Sequence, residues 1–139
     1  MALLADLFLA TDDAHALQYD TAPGTFPDRL QYTLVTELQL SMLWAMVRGI
    51  NWDVKSLRQF ANIFQAKEGQ VLICRLPATM LHDLLNLPAE QRSAVAAKWA
   101  ATAEMKCQPE DARSIIEGLL VSARKAAQSG QNVYLWNCV

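Results

Sequence analysis

The chain has 139 residues, of which 53% are hydrophobic and 19% charged, and its formal net charge is −2. This length and balance are typical of one packed globular domain and exclude a disordered chain. The twelve Lys and Arg residues are scattered and every apolar run is short, so neither a nucleic-acid-binding patch nor a membrane span is expected.

The chain begins with an apolar segment, and residues 3–10 are predicted to form the first strand. Residues 1–4 have no basic flank, so a signal peptide is not expected. Thr11-Asp12-Asp13 supplies side chains that cap helix N-termini, which predicts a short helix to about Gln18. Residues 20–28 contain two prolines and a glycine and are predicted to be a surface connection or, alternatively, a mobile lid.

Residues 28–48 allow two interpretations. Apolar and polar residues alternate over 29–34 as in a half-buried strand, and the capping-box pattern from Thr36 to Gln39 predicts a helix over 37–48. Alternatively, leucine and methionine at every fourth position are typical of one helix over the whole segment. We favour the strand followed by a helix, and such a helix would be deeply buried because it is apolar on nearly all sides.

The middle of the chain is predicted to contain one strand and three helices. An amphipathic stripe predicts a helix over residues 54–64, and the continuous apolar order of residues 70–76 predicts an interior strand. Prolines at two helix starts favour helices over residues 77–85 and 88–105.

A long amphipathic helix is predicted over residues 109–128, and a row of small residues, Ser114, Gly118 and Ser122, runs beside its apolar stripe. Glycine within a helix costs about 1 kcal/mol relative to alanine, so Gly118 is expected to let another element approach closely. That element is either the helix over 88–105 or a partner, and a second copy of the chain in a homodimer is the partner we favour.

The final strand, residues 132–139, is apolar on both faces and is therefore expected in the interior of a sheet. The sum is a single α+β domain spanning residues 1–139, with about four strands in one mixed sheet and helices packed mainly on one face.

Three short motifs carry a family resemblance: LWAMVRG at residues 43–49, WAATAE at 99–104 and YLW at 134–136. Together they resemble small bacterial proteins that carry a domain of unknown function, and the similarity covers most of residues 30–139. The resemblance implies a bacterial cytosolic α+β domain and supplies no catalytic residue.

Two clusters contain side chains suited to catalysis. His15 follows Asp12 and Asp13, but three ligands this close together at a helix start cannot converge on one metal ion, and helix capping accounts for the aspartates. Cys74 and His82 have a spacing at which a strand and the next helix can pair a nucleophile with a base. A thiol in an apolar strand usually packs as a small hydrophobe, however. No metal or cofactor site is predicted.

The other candidates are interaction residues and thiols. Trp52 lies between two predicted helices, where it either anchors an interface or covers the end of the preceding helix. Cys74, Cys107 and Cys138 are odd in number and far apart, as expected of free thiols in a reducing cytoplasm.

The predicted function is a small non-catalytic domain of the bacterial cytosol that binds another protein or itself. Its candidate interaction residues are Trp52, Ser114, Gly118 and Ser122. The alternative is a small hydrolase or transferase with a site near His15, Asp12 and Asp13 or near Cys74 and His82.

Overall fold

A computed structural model describes residues 3–33 and 35–139. In chain order these residues form β1 (Leu4–Ala10), α1 (Asp13–Ala16), β2 (Leu30–Thr33), α2 (Glu37–Arg48), β3 (Ala61–Ala66), β4 (Val71–Arg75), α3 (Ala78–Leu85), α4 (Arg92–Ala100), α5 (Pro109–Ser129) and β5 (Asn132–Cys138). The α+β class is therefore confirmed. Leu34, predicted at the end of the second strand, lies outside the described residues. Within the described ranges, no helix combines the length and apolar character needed to cross a membrane.

The strands form one sheet in the order β2-β1-β5-β4-β3, and every neighbouring pair is antiparallel. The prediction of about four strands in a mixed sheet is thus wrong in both details. The prediction for the last strand is confirmed, since β5 lies at the centre of the sheet. A strand in this position has neighbours on both edges and packed layers on both faces, which is why it is apolar on both faces.

The fifth strand replaces part of a predicted helix. Residues 54–64 were expected to be helical, but Val54–Gln59 forms a 3-10 helix and the chain then enters β3. β3 pairs with β4 across a short connection in which Lys67, Glu68 and Gly69 all have positive φ angles. This long-range pairing prevails over the local periodicity, because strand formation depends on what a segment packs against.

Helix ends with local signals lie where they were predicted. α2 begins after the capping box of Thr36 and Gln39 and ends at Gly49, which has a left-handed φ of 68°. The alternative of a single helix over 28–48 is wrong. The helix predicted over 88–105 is shorter than expected: α4 ends at Ala100, and turns follow.

The larger core lies between the sheet and the helices α2 to α5, so the expected placement of helices mainly on one face is confirmed. α5 lies against β1 and β5. Trp99 of α4 is fully buried, and its indole nitrogen donates to the carbonyl oxygen of Gln39 at 2.9 Å, which joins α4 to α2.

The segment between β1 and β2 covers the other face of the sheet. Tyr19 stacks on Phe8 of β1 with ring centroids 4.1 Å apart, and Phe26 meets the Phe8 ring edge-on at 5.2 Å. Phe26 is buried. Residues 20–28 are therefore held against the sheet by an aromatic side chain, an arrangement that does not fit the mobile lid considered for them.

Candidate functional site

The side chains of Asp12, Asp13 and His15 each have different partners in the structure. Asp12 caps α1 by accepting from the backbone N–H of His15 at 2.8 Å, while the His15 ring stacks on Phe26 at 4.8 Å. Nδ1 of His15 accepts from the backbone N–H of Thr11 at 3.1 Å. In the described ranges, no group of three His, Cys, Asp or Glu side chains is placed to hold a metal ion.

Asp13, the third member of that cluster, joins α1 to two strands. Nη1 of Arg75 donates to both carboxylate oxygens of Asp13, at 2.7 and 2.6 Å, and the Tyr134 hydroxyl donates to Oδ1 at 2.7 Å. The hydrogen bonds from Arg75, followed by the one from Tyr134, lower the pKa of Asp13. Arg75 and Tyr134 thus both donate to this one carboxylate, which is the arrangement of a structural clamp.

Cys74 and His82 do not form a catalytic pair. Cys74 is 2% exposed, and burial raises the pKa of its thiol well above the ordinary value, so the thiol stays protonated and unreactive. His82 is exposed on α3, where Nε2 lies 3.0 Å from the side-chain amide nitrogen of Asn86. No hydrogen bond joins the two side chains in the described part of the chain.

The row of small residues on α5 is largely occupied by the chain itself. A Cβ atom at Gly118 would overlap the hydroxyl oxygen of Tyr32, so the close approach predicted for Gly118 is made by the edge strand β2. Ser122 is buried, whereas Ser114 is exposed. The three residues therefore do not share one free surface, and the geometric argument for a homodimer through this row is lost.

Trp52 combines a fixed orientation with exposure. Its indole nitrogen donates to Oγ of the buried Ser41 in α2 at 2.9 Å, and that Oγ donates in turn to the carbonyl oxygen of Leu38 at 2.7 Å. Trp52 nevertheless remains 39% exposed. Trp52 therefore packs on α2, as one of the two roles considered for it requires, and its role as an interface anchor stays a prediction.

Two large aliphatic side chains flank Trp52. Ile50 is 51% and Val54 58% exposed, so three of the seven large hydrophobic residues that are exposed in the described part lie within five consecutive positions. We call Ile50, Trp52 and Val54 the apolar loop. Sequence analysis did not identify Ile50 and Val54 as interaction residues. The available signal was the alternation of large apolar and polar residues between two predicted helices.

Charged groups of both signs lie near the apolar loop. Arg48 lies over the Trp44 ring at 5.3 Å, and Arg48 and Lys55 both line a recess of about 180 Å³ beside the loop. The one acidic residue there, Asp53, is engaged in capping the following 3-10 helix by accepting from the backbone N–H of Lys55 at 2.8 Å. Arg48 also lies 4.0 Å from the carboxylate of Asp83, so in the described part of the chain Lys55 is the cation of this recess without an ion pair. We call Arg48 and Lys55 the basic rim.

A groove of about 760 Å³ passes along the edge strand and is called the β2 groove here. It is lined on one side by Asp6, Asp20 and Trp136 and on the helix side by Met105 and Ile115. Sequence reasoning missed Asp6 as well, although a carboxylate within an otherwise apolar strand was the available signal. A second groove, of about 660 Å³, runs along α3 and α5 past His82.

The chain matches none of the protein-family models, curated proteins or solved structures with which it was compared. Its resemblance to small bacterial proteins of unknown function therefore stays a prediction. Function is inferred below from the contacts, exposure and charges of the described residues.

Proposed function

We propose that the protein is a non-catalytic domain of the bacterial cytosol that binds another protein through the apolar loop. The observation that carries this proposal is the clustering of Ile50, Trp52 and Val54, each more than a third exposed, within one five-residue stretch. Single exposed hydrophobic residues are normal on a protein surface, but a cluster of large ones marks a contact surface.

Trp52 is the anchor of the proposed interface. Tryptophan is among the residues that dominate binding energy in protein interfaces. The hydrogen bond from its indole to Ser41 holds the ring before a partner arrives, so binding loses little side-chain entropy. Ile50 and Val54, on either side, supply the apolar surface that excludes water from such an anchor.

The basic rim indicates the chemistry of the partner. Lys55, and Arg48 beside its ion pair with Asp83, favour a partner that places carboxylates next to an apolar recess, because charges of opposite sign across an interface give specificity and speed association. A two-fold contact of the apolar loop with a second copy would bring the same basic side chains together. We therefore assign the loop to a different protein, in place of the homodimer favoured from the sequence.

The alternative of a small hydrolase or transferase has less support. Its nucleophile would be Cys74, whose thiol is buried and protonated, and the carboxylate of Asp13 is occupied by Arg75 and Tyr134. Neither group is placed to attack or deprotonate a substrate.

Site-specific photo-crosslinking in living bacterial cells tests the proposal. A benzophenone side chain is introduced at Val54 and, as a matched control, at Val121, which is another valine and is 41% exposed on α5. Irradiation is expected to give a discrete protein adduct from position 54 that is absent from position 121 and lost when Trp52→Ala is added. Identical adducts from both positions, or none from position 54, would contradict the proposal.

A further inference from the structure

A buried carboxylate lies at the floor of the β2 groove. Asp6 stands in the middle of β1, directly opposite Gln31 of β2 on one side and Trp136 of β5 on the other. It is only 7% exposed, although it lines the groove. Aspartate is rarely this buried unless its oxygens have partners, because a buried charge without hydrogen bonds is costly.

One oxygen of Asp6 has such a partner. The Tyr19 hydroxyl donates to Oδ2 at 2.7 Å. Burial, followed by this hydrogen bond to Asp6, raises the pKa of Tyr19 above its ordinary value. Tyr19 therefore keeps its proton and remains a donor, which holds the Asp6 carboxylate in one orientation.

The other oxygen of Asp6 is free. Within the described ranges, no hydrogen bond is made to Oδ1. If Oδ1 were also fully enclosed, it would be a buried polar atom without a partner, but in those ranges the only such side-chain atom is Nε of Arg92. Oδ1 is therefore not fully enclosed, and the groove that Asp6 lines is the space from which a ligand would reach it. A nearly buried carboxylate with one open oxygen is suited to accept a hydrogen bond from a ligand.

The surroundings of this oxygen combine negative charge with apolar surface. Asp20 lines the same groove and accepts from the indole nitrogen of Trp136 at 3.0 Å. Leu4, two positions before Asp6 on the same face of β1, is exposed, and Pro23 also borders the groove. A ligand here meets a carboxylate at one end and apolar side chains along its body.

The charge balance of the groove favours a cation. Its charged residues are Asp6, Asp20, Asp111 and Arg29, so three carboxylates face one guanidinium and the formal charge is −2. Arg29 lowers the pKa of Tyr19, although burial and the hydrogen bond to Asp6 raise it more strongly. A metal ion is a poor fit, since the described residues offer no group of three ligating side chains and the groove is far larger than an ion.

We propose that the β2 groove binds a primary alkylammonium, with the ammonium donating to the open oxygen of Asp6 and the alkyl chain lying against Leu4 and Trp136. A volume of about 760 Å³ is typical of sites for small organic ligands. The groove lies at the β2 edge of the sheet, whereas the apolar loop leads into β3 at the opposite edge. The two proposals are therefore independent of each other.

Hexylammonium and hexanol are the probes that test the proposal, because they differ mainly in charge. Binding is followed by the NMR signal of the Trp136 indole N–H during titration of the full chain. The wild type is expected to show a saturable shift with hexylammonium and roughly tenfold weaker binding of hexanol, as a charge-assisted hydrogen bond implies. A lysine derivative with blocked termini, titrated in the same way, distinguishes the side chain of a peptide from a free amine.

The matched variants are Asp6→Asn and Glu90→Gln. An asparagine at position 6 still accepts from Tyr19 but has no charge, and we expect it to weaken hexylammonium binding roughly tenfold or more. Glu90, an exposed acid outside the groove, is expected to have no effect. Equal affinity of the wild type for both probes, or undiminished binding by folded Asp6→Asn, would overturn the proposal. If Asp6→Asn does not fold, the comparison of probes in the wild type still decides.

Discussion

The hydroxyl of Tyr32, on the edge strand, lies against the α-carbon of Gly118 in the middle of the longest helix, α5. Any side chain at position 118 would enter the space that this hydroxyl occupies. Burial raises the pKa of Tyr32, so the phenol remains neutral in this contact. The contact leaves no room for a side chain at position 118, which explains the glycine within the helix. It also fixes the position of β2 on the helix layer.

We expect Gly118→Ala to destabilise the protein, although the same change in an open helix would stabilise it by about 1 kcal/mol. Overpacking against Tyr32 should instead cost about 1–2 kcal/mol. In a Tyr32→Phe background the overlapping oxygen is absent, and most of this cost should disappear. Urea unfolding of the four proteins of this double-mutant cycle measures the coupling. An equal cost of Gly118→Ala in both backgrounds would show that the contact is unimportant.

The second expectation separates exposed from buried tryptophans. Trp52→Ala should lower the free energy of unfolding by about 1–2 kcal/mol, since it removes one hydrogen bond and the part of the side chain that packs on α2. Trp99→Ala should lower it by about 3–5 kcal/mol, because Trp99 is fully buried and its loss leaves a cavity. Urea midpoints check both values. A cost for Trp52→Ala as large as that for Trp99→Ala would mean that Trp52 belongs to the core.

The third expectation concerns acid pH. The pKa of Asp13 is lowered in the folded state, so its contribution to stability is complete above the ordinary value of 3.8 and is lost as pH falls through the folded-state pKa. Near neutral pH, the free energy of unfolding of the wild type should therefore exceed that of Asp13→Asn by about 0.5–1 kcal/mol. This value is modest because Asp13 and Arg75 are both partly exposed, so solvent screens their interaction. This difference should shrink by about pH 3.

Urea unfolding at several pH values measures this effect, and Glu90→Gln, which removes an exposed carboxylate elsewhere, serves as the control. A difference between wild type and Asp13→Asn that is the same in acid as at neutral pH would show that Arg75 and Tyr134 do not stabilise the ionised carboxylate.

The fourth expectation concerns thiol reactivity. Cys74 is buried with a raised pKa, whereas Cys107 and Cys138 are partly exposed. In a variant that keeps only Cys74, iodoacetamide should label the unfolded protein fully and the native protein slowly, as mass spectrometry can measure. Rapid native labelling that His82→Ala suppresses would instead support the catalytic pair.

Elements with local signals could be predicted from the sequence. The bounds of α2 follow from a capping box at one end and Gly49 at the other, and both signals act within a few residues. The central position of β5 follows from apolar residues on both of its faces. β3 could not be predicted in this way, because its apolar residues suit a short helix equally well and only pairing with β4 decides between the two.

The candidate sites were only partly predictable for the same reason. Trp52 was identified because an aromatic residue in a connection is conspicuous, but its bond to Ser41 depends on how α2 packs. The Asp6 site depends on which residues stand opposite β1 in the sheet, and on Tyr19 reaching back across thirteen positions to the carboxylate. Patterns within one segment carry no information about such contacts.

The affinity of the crosslinked partner for three purified proteins tests the central claim, that the apolar loop is a protein-binding surface. Dissociation constants are measured by calorimetry for the wild type, Trp52→Ala and the control Val121→Ala. We expect Trp52→Ala to weaken binding about 30-fold or more, because loss of an interface anchor costs about 2 kcal/mol of binding free energy. Val121→Ala is expected to bind as the wild type does. Equal affinities of Trp52→Ala and Val121→Ala for the partner would contradict the claim.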